Sequence, residues 1–180
     1  MTQTRYDQLI HGQRGLANAT MRDVIIPALL GKETDGILYW IGKDLAREYP
    51  VGTTDELIVL TRQLGFGDLT QKKQTATQQL FELAGPVVSE RLALTKEETS
   101  FSLEAGFLAQ ECEFQLGLVA EAVVFDLGRR EVKILVQNDP AGGDTPERGE
   151  LATFIHPLID PKAAPAKSAK AGLFNRRKQK

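Results

Sequence analysis

Between Ser100 and Val136 the spacing of apolar residues changes once, and this switch constrains the fold more than any other feature of the chain. Phe101, Ala105, Leu108, Cys112 and Gln115 recur at intervals of three and four, the period of one helix face, and Phe107 and Phe114 widen its apolar side. Glu104, Gln110, Glu111 and Glu113 occupy the positions expected to be wet, while Gly106 and Ala109 are small enough to admit another backbone. Gly117 stands where a helix ends. Alternation follows: Val119, Val123, Phe125 and Leu127 are assigned to one strand face, Gly128 to the turn, and Val132, Ile134 and Val136 to a face of the next strand.

Upstream, Met21, Val24, Ile25, Ala28 and Leu29 set a helix beginning near Asn18 or Thr20, with Pro27 implying either a kink or two short pieces, and Gly31 ending it. A second helix, capped by Thr34 or Asp35 and running to about Tyr49, carries the stripe Ile37, Ile41, Leu45 and Tyr49, widened by Leu38 and Trp40. Its wet side is expected at Lys43, Asp44, Arg47 and Glu48. Thr53, Thr54 and Asp55 cap a third helix with Leu57, Leu60, Thr61 and Leu64 at helical spacing, closed by Gly65-Phe66-Gly67. A polar, β-tolerant run from Leu69 to Thr77 and the strand Leu80, Phe81 and Leu83 form an antiparallel hairpin ending at Gly85-Pro86. Pro86 opens a short helix to about Leu94. From Asn138 to Gly149 the composition is that of a loop, Thr153 to Ile159 is apolar enough to dock, and the rest is rich in Ala, Lys and Pro. The expected organisation is a flexible leader over 1–17, a single α+β domain over 18–160 and a disordered basic tail over 161–180.

Charge and composition narrow the chemistry. From Pro161 onward the only charged residues are seven Lys and Arg, a charge of +7, which leaves 15 basic against 24 acidic residues before it. An acidic globule of this kind is expected to repel nucleic acid through its body and to meet nucleic acid or an anionic surface only through the tail, where Leu173-Phe174 precedes Arg176-Arg177-Lys178. The single cysteine, Cys112, excludes an internal disulfide and fits a reducing cytoplasm. The polar stretch Met1–Arg14 lacks the apolar core of a secretory signal, and no run approaches the ~18 apolar residues of a membrane span.

Catalysis requires convergent groups with perturbed protonation, and the chain offers few candidates. His11 and His156 are its only histidines, and no nucleophile elbow, phosphate-binding loop or dinucleotide glycine pattern is present. Gly65-Phe66-Gly67 follows a helix and precedes a strand, the reverse of the order that aims backbone N–H groups at an anion. One cysteine and two distant histidines do not make a zinc site, and Asp139, Asp144 and Glu147 miss calcium-loop spacing. No catalytic residue, metal or cofactor is therefore expected, and a non-enzyme is the reading.

Three segments resemble the YslB-like bacterial family of unknown function: the stretch GILYWIGKDLAR starting at Gly36, GFGDLT starting at Gly65, and SFSLEAGFLAQ starting at Ser100. With the closing hairpin the resemblance covers about Met21 to Asn138. That family is similar to the superfamily of TRAPP transport subunits and four-vinyl-reductase domains. The resemblance implies an α+β fold with an antiparallel four-stranded sheet, made of two hairpins, packed against helices. It also implies dimerisation through the early helices and, in some members, an apolar ligand cavity. Sensor relatives carry zinc-binding cysteines about the last hairpin, and Val119 to Gln137 contains none.

The leading functional expectation is a non-catalytic, cytoplasmic homodimeric binding or interaction module. Ile37, Tyr39 and Trp40 exceed what one core seam needs and are assigned to the dimer interface. The alternative is a sensor or carrier of a small apolar ligand, lipid or aromatic, in a pocket between the 101–116 helix and the sheet, with Phe101, Phe107, Leu108 and Cys112 as its ligand-binding residues. A third alternative is association with RNA or an anionic membrane through the basic tail.

Overall fold

The structure, a computed structural model, describes residues 7, 11, 12, 14–94, 99–141 and 151. Helix α1 (15–30) is α-helical at Gly15–Thr20, π-helical at Met21–Ile25 and α-helical again at Ile26–Leu30. It starts ahead of the expected Asn18 or Thr20. Pro27 explains the middle: lacking an N–H, it leaves the preceding turn to widen, and the Ile26 N–H reaches back to the Met21 carbonyl. A 3₁₀ turn, Gly31–Glu33, leads into α2 (Thr34–Glu48). That tight entry displaces the expected Thr34 cap, whose hydroxyl bonds the Gly31 carbonyl at 2.5 Å instead. Helix α3 (Thr54–Gln63) is capped as expected by Thr53, which accepts from the Glu56 N–H at 3.2 Å and donates to the Glu56 carboxylate at 2.8 Å. Then come β1 (Asp68–Gln74), β2 (Gln78–Ala84), α4 (Pro86–Leu92), α5 (Ser102–Leu116), β3 (Ala120–Leu127) and β4 (Glu131–Asn138).

The two hairpins join into one antiparallel sheet of order β1-β2-β4-β3, so β2 and β4 are its centre. Leu83, Phe81, Val132, Ile134 and Val136 point inward from these two strands and are buried. Helix α5 lies over the β3–β4 half, while α3 approaches β1 and α4 approaches β2 and β4. This is the expected α+β architecture.

The strand-face assignment for β3 is overturned. Ala120, Ala122 and Val124 face the core, and Val123 and Phe125 are exposed on the outer face. β3 is apolar in both registers, and the close approach of α5 selects the small side chains for the inside. A bulge between Val124 and Asp126 then returns Leu127 to the core, separating it from Val123 and Phe125.

The wet face assigned to the last helix is overturned as well. Glu104, Gln110, Glu111 and Glu113 are all buried, because α5 is enclosed on every side. Gly106, by contrast, does admit a backbone: a Cβ there would collide with the Tyr39 carbonyl of α2, and one on Gly42 would collide with the Leu103 carbonyl of α5. These two glycines set the side of α2 that faces inward. Leu38, Gly42, Lys43 and Ala46 are buried, while Ile37, Trp40 and Ile41 are exposed. The expected stripe of Ile37, Ile41, Leu45 and Tyr49 is thus split, and Lys43, assigned to water, is inside.

Candidate functional site

Three features of α2, α5 and α1 carry the polar and exposed apolar groups that could serve function. The first is the outer face of α2. Ile37, Trp40 and Ile41 sit at i, i+3 and i+4, and Trp40 is 60% exposed. Tyr39 points elsewhere. Its hydroxyl donates to the Glu121 carboxylate and accepts from the Ala122 N–H at 2.9 Å, which pins α2 to β3 and pushes its ionisation upward through burial. Of the residues assigned to the interface, the structure therefore groups Ile37 and Trp40 on one surface and gives Tyr39 to the sheet. Beside Tyr39, the buried Lys43 ammonium bonds Glu113 at 3.2 Å, the Ala120 carbonyl at 3.3 Å and Glu121 at 3.0 Å. Glu113 also accepts from the Ala120 N–H at 3.0 Å and from Gln110 at 2.7 Å. A lysine buried this fully is tolerated because each of its donors has a partner.

The second feature is the inner side of α5. Phe101, Phe107, Leu108 and Cys112 are each at most 2% exposed and belong to one core cluster. Phe107 meets Phe66 edge to face with centroids 5.5 Å apart. The Cys112 thiol is driven upward by burial, with Glu111 and Glu113 adding to the effect. Glu111 itself is pushed up to about 8, chiefly by burial; one of its oxygens accepts from the Val51 N–H at 3.1 Å and the other has no hydrogen-bond partner.

The third feature was not legible in the sequence. Arg14, Arg22 and Asp23 of the first helical region meet Glu90 and Arg91 of α4 and Glu104 of α5 in a charge-balanced network. Arg91 donates to Glu104 at 2.8 Å and to the Ser100 carbonyl at 2.5 Å, and lies 3.4 Å from Asp23 and 4.4 Å over the ring of Phe101. Arg22 donates to both Glu104 oxygens, at 3.1 and 2.9 Å, and Arg14 reaches Asp23 at 2.5 Å and Glu90 at 3.1 Å. Burial lowers the Arg22 pKa and the Glu104 carboxylate opposes that shift. Glu104 was expected to face solvent, and no periodicity marks Arg91 as its partner. Only the folded chain brings residues 14, 22, 91 and 104 together.

His11 is exposed; His156, Asp144, Glu147 and the basic tail lie outside the described residues. Among the described residues no group of three or more His, Cys, Asp or Glu is placed to hold a metal ion, and no helix is long and apolar enough to cross a membrane.

The sequence model of a family described as a protein of unknown function (DUF2507) matches residues 15–137. The uncharacterized protein YslB of Bacillus subtilis (strain 168) is 35% identical over 102 residues, 57% of this chain and 68% of that one. Among solved structures, a vinyl-4-reductase family protein from Methanocaldococcus jannaschii superposes with a TM-score of 0.51 at 21% identity, covering 64% of this chain and 75% of that one. That likeness is one of fold.

Proposed function

The chain belongs to the DUF2507 family of proteins of unknown function, and we propose that it acts as a non-catalytic homodimeric binding module whose subunits meet through the outer face of α2. The observation that carries this reading is the exposure of Trp40, flanked by Ile37 and Ile41, on a helix whose opposite side is already fully used against α5. An indole left 60% in water forgoes the burial of a side chain that commonly dominates interface energetics. Met21, Ile25 and Leu29 add a second exposed apolar row on α1. Tyr39 and Lys43 contribute by anchoring α2 to β3, so that Trp40 is held on a rigid element.

The non-catalytic part of the reading is supported by how the buried charges are used. Lys43, Arg91, Glu104 and Glu113 are each engaged by partners within the fold, which leaves them structural work to do. Multi-angle light scattering over a dilution series from millimolar to sub-micromolar chain tests the assembly. A twofold mass that falls to that of one chain on dilution is the expected result, and one-chain mass throughout overturns it.

A further inference from the structure

The sheet turns one face to the helices and leaves the other open. On the open face the register aligns Leu80 of β2, Leu135 of β4 and Val123 of β3 in one row across the strands. Phe125, beside the β3 bulge, widens the row; it is 64% exposed and Val123 is 53% exposed. Lys73 of β1 ends the row opposite Leu80, and with Gln78, Leu80, Phe125 and Leu135 it lines a shallow groove of about 240 Å³. The solvated face of an antiparallel sheet is ordinarily polar, so an apolar row across three strands calls for a cover.

The next row is charged. The β1 bulge sends Lys72 as well as Lys73 to the open face, where Lys72 pairs with Glu82 at 2.9 Å. Glu82 stands opposite Lys133 in the register, and Lys133 stands opposite Asp126 and pairs with it at 3.1 Å. From β1 to β3 the order Lys72, Glu82, Lys133, Asp126 thus alternates in sign, and read in reverse it is its own complement. A second copy turned face to face about a twofold axis along the strands presents that reverse, with β1 over the other copy's β3 and β2 over its β4. Lys72 then faces Asp126 and Glu82 faces Lys133, each contact occurring twice, while Leu80 comes over Leu135 in the apolar row. The charged row is neutral as a whole, so stacking leaves no charge over. A twofold across the strands would instead set Lys72 against its own counterpart and Glu82 against its own, so charge selects the first arrangement.

We propose that the open face of the sheet is a second self-association surface, on which two copies of this chain stack sheet on sheet in the aligned manner of a β-sandwich. Strands of seven and eight residues make a face of roughly 20 by 25 Å, small for a stable dimer, so the contact is weak, with a dissociation constant on the order of 100 μM. This surface is separate from the outer face of α2, which lies on the helix side of the sheet, and it does not depend on the contact made there. A chain that uses both faces links pairs into larger assemblies at high concentration.

The test uses the full chain carrying Trp40→Glu, which disables the α2 contact and leaves the open sheet face untouched. Sedimentation equilibrium is expected to show one-chain mass at micromolar concentration and two-chain mass on approach to millimolar. In that background Lys72→Glu or Asp126→Lys, each of which sets like charges opposite one another twice per pair, should weaken association about tenfold or more. An equimolar mixture of the two variants should recover it, because the reversed charge of each copy then meets that of the other. Should either reversal fold poorly by circular dichroism, Phe125→Ser, at an exposed position of the apolar row, should weaken association about tenfold. One-chain mass of the Trp40→Glu protein at millimolar concentration, association indifferent to the reversals or to Phe125→Ser, or no recovery in a mixture of folded variants overturns the proposal. Equal association of wild type and Trp40→Glu would count against the α2 reading alone, so the two failures are distinguished.

Discussion

Gly42 of α2 and Gly106 of α5 each lie against the backbone of the opposite helix, Gly42 against Leu103 and Gly106 against Tyr39. With no side chain at either position, the helices close to backbone contact and Leu38, Ala46, Leu103 and Phe107 are sealed around the seam. Such an approach also orients α2, since only one of its sides is small enough to enter.

Gly106→Ala should therefore destabilise the fold by about 3 kcal/mol or more, because overpacking against a carbonyl outweighs the ~1 kcal/mol that alanine gains in helix propensity. Gly36→Ala, where an added Cβ meets no heavy atom, should instead stabilise by about 0.5–1 kcal/mol. Urea denaturation of the two variants checks both signs.

Lys43→Met should cost about 3–5 kcal/mol, since it removes three partners at once and leaves Glu113 buried without its cation. Adding Glu113→Gln to that variant should recover more than half of the loss. A double-mutant cycle measures the coupling, and simple additivity would refute the pairing.

Glu111 predicts a pH dependence of definite sign. Its native carboxyl is raised from 4.5 to about 8 by burial, so the folded state holds a proton that the unfolded chain releases. Stability from this group is full below about pH 4.5, declines as pH rises toward 8 and is constant above it, a span on the order of a few kcal/mol. Val51 N–H and the Glu56 carboxylate are the groups that act on it. Glu111→Gln should flatten the profile between pH 5 and 8 and be more stable than wild type at pH 8. Chemical denaturation at several pH values reads this directly.

Trp40→Glu should weaken self-association about thirtyfold or more, as expected for a central interface tryptophan. Monomer stability should change by less than about 0.5 kcal/mol, because the position is exposed. Sedimentation equilibrium and thermal unfolding separate the two effects, and an unaltered association constant would exclude Trp40 from the interface.

The succession of helices and hairpins was legible because period 3.6 and period 2 depend only on local spacing. The capping of α3 by Thr53, the end of α5 at Gly117 and the turn at Gly128 followed from the chemistry of single residues, whereas the turn between β1 and β2 falls at 75–77, inside the run read as polar and β-tolerant up to Thr77. Sidedness was legible only where one face was apolar. In β4 the alternation of Val132, Ile134 and Val136 leaves one choice, and these residues are inside. β3 offers Ala120, Ala122 and Val124 against Val123 and Phe125, and α2 offers two overlapping apolar faces, so hydrophobicity alone does not decide either.

What the amino-acid sequence determined by itself is the order and type of the elements, since backbone propensity, caps and periodicity act within a few residues. The tertiary structure decided which faces are buried and which charges meet. Gly42 and Gly106 select the inner side of α2 by steric fit, and α5, once enclosed, must satisfy Glu104, Glu111 and Glu113 with partners as distant as Arg22, Val51 and Lys43. The physical reason is that burying a charge is favourable only with a counter-charge or donor in reach, and the fold, not spacing along the chain, supplies that neighbour.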